Sequence, residues 1–168
     1  MNETAVGVLP AYNEIPDVGL YLDQVSKYIN QSMEKLPGKT ITNSMISNYV
    51  KHDLVPNPIK KLYYRDQIAK LIFIAVSKSA LSLGDIDFIF QLTDNYLSVK
   101  EAYTYFADTL SRGLSGEIIT DDNEGIFFRA LNQTVRTLSA QITLEKLINE
   151  TRGAEDLPEY NGKKKKKK

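Results

Sequence analysis

The chain has 168 residues, 42% of them hydrophobic and 10% aromatic, which suits one compact domain with an added helical segment and not two independent domains. It has no cysteine, which excludes disulfides, thiolate zinc sites and a cysteine nucleophile, and one histidine, which excludes a histidine-built metal set. The formal charge is zero, but six of the 21 basic residues form the run Lys163–Lys168; the other 15 face 21 acidic residues, a balance of −6. An acidic body confines any nucleic-acid contact to a local basic patch.

Residues 1–16 carry two prolines and no helical period, and are expected to form an extended arm. Asp17 is placed to cap a helix carrying Leu20, Val25, Tyr28, Ile29 and Leu36, stopped by Pro37-Gly38. Thr42 caps the next helix, which runs to about His52 with Met45, Ile46 and Tyr49 inward. Asn43, Ser44, Ser47, Asn48 and Lys51 then fall outward. Pro56 and Pro58 forbid helix, so Asn57 to Tyr64 form a turn that exposes Lys60 and Lys61 beside a tyrosine pair, with Tyr64 assigned to the core and Tyr63 left open.

Helical spacing returns with Ile68, Leu71, Ile72, Ala75 and Val76 over Arg65 to about Ser79, and Ser82 with Asp85 reads as a capping box for a helix through Gln91. Val99 to Leu114 and Asn123 to Glu150 are two further helices. The second is expected to be capped by Asp121, Asp122 or Asn123, with a stripe of Phe127, Leu131, Val135, Leu138, Ile142 and Leu147. The predicted fold class is all-α, with at most a small two-stranded wing.

The order of these parts resembles the winged helix-turn-helix of the mercury-resistance-regulator (MerR) family. The matching residues are Met45, Ile46 and Tyr49, then Asp53-Leu54-Val55-Pro56, then Tyr63-Tyr64-Arg65, then Ile68, Leu71 and Phe73-Ile74, and last Leu81-Ser82-Leu83 with Ile86. The chain departs from that pattern at Asp53, where the family has glycine, which implies a left-handed backbone that aspartate tolerates better than most side chains, and at Ser47-Asn48-Tyr49, where the family carries an arginine before its tyrosine pair. The opening residues Leu9-Pro10, Pro16-Asp17, Leu20-Tyr21 and Asp23-Gln24 resemble a bacterial family known only as a domain of unknown function, which implies an architecture and no activity.

The resemblance to MerR implies a DNA-binding transcriptional regulator. Asparagine pairs with adenine and serine both donates and accepts, so Asn43, Ser44, Ser47 and Asn48 are the candidate base readers. Lys51, Lys60, Lys61 and Arg65 are the candidate phosphate contacts, with Tyr63 as a possible hydroxyl donor. It also implies a homodimer joined through the 123–150 helix, placing two recognition helices on double-stranded DNA. The bland reading of the same residues is a solvated helix face and a soluble turn, and the competing function is a protein-protein interaction module that kept the shape and lost DNA.

The expected organisation is an arm over 1–16, the winged helix-turn-helix over 17–94, a helical dimerisation or effector segment over 95–152, and a basic tail over 153–168. Tyr96, Tyr103, Tyr105, Phe106, Phe127 and Phe128 are the set that would line a pocket for a small-molecule effector, although at helical spacing they read equally as core. Asp121, Asp122 and Glu124 lack the alternating ligands and glycine of a calcium loop. No nucleophile elbow, phosphate loop or dinucleotide fingerprint occurs, so neither a cofactor nor an enzyme is expected. With no apolar run near ~18 residues and no secretion signal, the expected location is the cytoplasm, without membrane partners.

Overall fold

The computed structural model describes residues 7–122 and 125–154. Six α-helices follow one another: α1 Leu22–Ser32, α2 Asn43–Lys51, α3 Arg65–Ser77, α4 Leu83–Asp94, α5 Val99–Leu114 and α6 Ile126–Gly153, preceded by a single 3-10 turn over Tyr12–Glu14. The fold class is all-α, and among the described residues β-type pairing is limited to two isolated bridges, Leu20 with Tyr63 and Ile59 with Leu62.

Helix α3 is the centre of the domain. From Gln67 to Ser77 every residue except Lys70 is buried, so the helix is apolar nearly all round, as an element enclosed by neighbours must be. Its run from Leu71 to Val76 packs against α1, α4, α5 and α6. Phe73 meets Phe106 of α5 edge-on at 4.6 Å and Phe90 of α4 at 5.3 Å, fixing three helices around one aromatic cluster. Helices α5 and α6 pair closely because Gly113 lets Ser139 and Val135 approach; a Cβ there would sit 2.6 Å from the Ser139 hydroxyl.

The arm is part of the core. Leu9 and Ile15 are buried, Tyr103 donates to the Pro10 carbonyl at 2.8 Å, and Tyr12 donates to the Asp66 carboxylate. Asp17 does not cap α1. It pairs with Arg65 at 3.6 Å, and the helix starts five residues later, where the Gln24 side chain accepts the Tyr21 amide at 2.9 Å. The start of α6 also differs from expectation. Gly125 is its N-cap, while Asp121 is held by Arg136 at 3.0 Å and by Asn132 at 3.0 Å, and Asp122 accepts from Thr120. Asn123 and Glu124, and the arm and tail ends over 1–6 and 155–168, lie outside the described residues. Other ends match the sequence reading closely: Thr42 caps α2, Ser82 caps α4, and α5 has the expected bounds.

Candidate nucleic-acid interface

Helix α2 is built by its two ends. Thr42 accepts the Met45 amide, satisfying a donor that the first turn leaves unpaired. At the other end the Leu54 amide reaches the Tyr49 carbonyl and the Asp53 amide reaches Val50, a Schellman closure that puts Asp53 at φ 59°. Ile46 and Tyr49 are buried between these caps. The opposite face, Ser44, Ser47, Asn48 and Lys51, is exposed at the i, i+3, i+4, i+7 spacing of one helix side.

The segment after α2 forms a two-residue hairpin. Ile59 and Leu62 exchange both backbone hydrogen bonds at 2.9 Å, and the residues between them, Lys60 and Lys61, have φ 49° and 68°. Two successive positive φ values make this a type I′ turn, where asparagine and glycine are the ordinary choices. Two lysines hold it instead, in a backbone region that disfavours side chains bearing a Cβ. The described residues form four ion pairs, which engage Arg65, Lys70, Arg112 and Arg136; Lys51, Lys60 and Lys61 are exposed and outside them. Ile59 is also exposed at the tip.

Three candidate residues are occupied within the fold. Tyr63 is only 4% exposed, and its main chain pairs with Leu20; burial raises its phenol above the ordinary value. Tyr64, expected in the core, is the half-buried one of the pair and leads into α3, its amide received by Gln67. Arg65 donates to the carbonyls of Ile15 at 2.7 Å and Asn13 at 3.5 Å, pairs with Asp17 and lies 5.5 Å from the Tyr12 ring centre. It clamps the arm to α3, which removes it from the set of free cations. Asn43, half-buried at the start of α2, donates to the Asp23 carboxylate of α1.

Carboxylates border the polar face in ways the sequence does not reveal. Two adjoining grooves of about 330 and 400 Å³ share His52, Leu54 and Asp87; the first reaches Asn48 and the second Asp53 and Asp94. Asp94 is already neutralised by Lys70 at 2.6 Å, and Asp87 accepts from Gln91. The cationic surface is therefore narrow, set by Lys51 and the hairpin.

The aromatic set divides. Tyr103 and Phe106 are core, while Tyr96 stacks on Phe127 at 4.9 Å and 17°, and Phe127, Phe128 and Tyr105 continue the row. A groove of about 490 Å³ runs beside Tyr105 and Phe128. Along α6 the expected stripe is buried at Leu131, Val135, Leu138 and Ile142 and then emerges, with Leu144, Leu147 and Ile148 exposed. No group of three or more metal-ligating side chains occurs among the described residues, and none of their helices is long and apolar enough to cross a membrane.

No curated protein and no solved structure matches the chain. A family match covers residues 10–106, from the buried arm through the first half of α5, and so takes in α2, the hairpin and the central helix α3. The chain therefore belongs to the family described as Domain of unknown function (DUF1836).

Proposed function

We propose that the protein is a DNA-binding transcriptional regulator, with the MerR-like arrangement read from its sequence, in which α2 enters the major groove and the 57–64 wing rests on the phosphate backbone. The observation that carries this reading is the Lys60-Lys61 turn. A tip held in a conformation that lysine disfavours, when asparagine and glycine would relax it, indicates that the charge itself is needed. A phosphate backbone is the partner that rewards paired exposed cations. Nine residues before Lys60, α2 ends with Lys51, and its exposed Ser44, Ser47 and Asn48 supply donors and acceptors suited to base edges.

Under this reading Lys51, Lys60 and Lys61 anchor the protein and Ser44, Ser47, Asn48 and Asn43 select the sequence. Tyr63 and Arg65 act indirectly, by fixing the hairpin and the arm. The emergent stripe Leu144, Leu147 and Ile148 serves as a homodimer seam, and the aromatic groove beside Tyr105 and Phe128 as a place for a small-molecule effector. The role is non-enzymatic and cytoplasmic.

A second reading, a protein-interaction module, draws on Asp87 and Asp53 beside the end of α2. A salt titration of binding to a mixed-sequence duplex separates the two. DNA binding requires affinity that falls steeply with salt, by about 0.9 log units per log unit for each phosphate neutralised. Absence of duplex binding at low salt favours the interaction module.

A further inference from the structure

We infer that Asp23 is a positioning residue for sequence selection, orienting the Asn43 carboxamide at the start of α2; this rests on the DNA-binding reading above. A carboxylate only accepts hydrogen bonds, so Asn43 must turn its amino group toward Asp23. That restrains the carboxamide and leaves the Asn43 Oδ1 unengaged by Asp23. One N–H stays on Asp23, and the acceptor and the second N–H remain for a ligand.

Recognition helices read base edges with their N-terminal residues, and Asn43 is the first residue of α2. An asparagine offering one acceptor and one donor in a restrained carboxamide matches the N6 and N7 edge of adenine. Ser44, Ser47 and Asn48 are exposed and have no such tether, so Asn43 is the reader with a predetermined orientation. Asp23 itself sits in the first turn of α1, twenty residues away in sequence, on a helix packed against α2.

The test selects duplexes from a randomised pool with the whole chain, then measures affinity for the selected site and for each single-base substitution of it. Asp23→Ala should flatten discrimination at one base pair, by on the order of tenfold, while leaving the salt dependence unchanged. Asp23→Asn keeps an acceptor for the Asn43 amino group and should retain the preference. A merely structural tie between α1 and α2 predicts lowered melting temperature in Asp23→Ala with the preference intact, and that result overturns the inference while leaving the regulator reading standing. Failure of the unaltered protein to select any duplex overturns both.

Discussion

Replacing Lys60 with asparagine and Lys61 with glycine should make the protein more stable and a weaker DNA binder at once. Both positions have positive φ, and a left-handed conformation costs a residue bearing a Cβ roughly 1–2 kcal/mol. Glycine at 61 escapes that penalty and asparagine at 60 reduces it, so the net gain is about 1–2 kcal/mol, since the lysine side chains are exposed and make no ion pair among the described residues. For a chain of this size the melting temperature should rise by about 3–6 °C, read by thermal unfolding and by a higher urea midpoint at unchanged slope. Fluorescence anisotropy against salt should meanwhile show the slope for duplex binding reduced by about 2, one unit per lysine. A melting temperature that stays level or falls refutes the strain argument. A rise in stability with an unchanged salt slope refutes the wing as a phosphate contact.

Gly19 lies against the hairpin with no room for a side chain, since a Cβ would sit 2.8 Å from the Leu62 Cβ; Gly19→Ala should therefore destabilise by about 1–3 kcal/mol in urea unfolding, and a neutral result would show that the 18–20 segment shifts freely. Asn132 is fully buried, accepting from Tyr105 and donating to the Thr120 carbonyl and Asp121. Asn132→Leu should cost about 2–3 kcal/mol and expose the 117–122 loop to proteolysis, and equal protease resistance would contradict its anchoring role. Burial, with the Asp66 hydrogen bond second, pushes the Tyr12 phenol up to about 12, and burial raises Tyr103 further. Folded values above unfolded ones mean stability present below pH 10 and lost as pH climbs through 12, so the urea midpoint should fall over that window and fall less in Tyr12→Phe; a flat profile would contradict the assignment.

Helices were legible where local chemistry decides them. Thr42 and Ser82 cap their helices within one turn of sequence, and Asp53 has the left-handed backbone expected at its position in the MerR resemblance. What escaped the sequence depends on distant partners. Asp17 looks like a cap but is drawn to Arg65, and Asp121 to Arg136 and Asn132, because an ion pair or a buried amide outcompetes an exposed cap. Tyr63, left open by the sequence, takes the buried place, and Tyr64, expected in the core, is half-buried, because the Leu20 bridge to Tyr63 sets the pleat and neighbouring residues alternate faces. At the candidate interface the exposed serines, Asn48 and lysines follow from helical period and turn chemistry. The Asp23 and Asp87 carboxylates beside them come from α1 and α4, and no spacing within α2 announces them.

The most direct measurement is a map of backbone amide shifts as a selected duplex is added to the protein lacking Lys163–Lys168. The account predicts that the largest changes fall on Asn43, Ser44, Ser47, Asn48, Lys51, Lys60 and Lys61, with α6 little affected. Changes confined to α6 or to the groove shared by His52 and Asp87, or no changes at low salt, would contradict a duplex-gripping surface made of α2 and its hairpin.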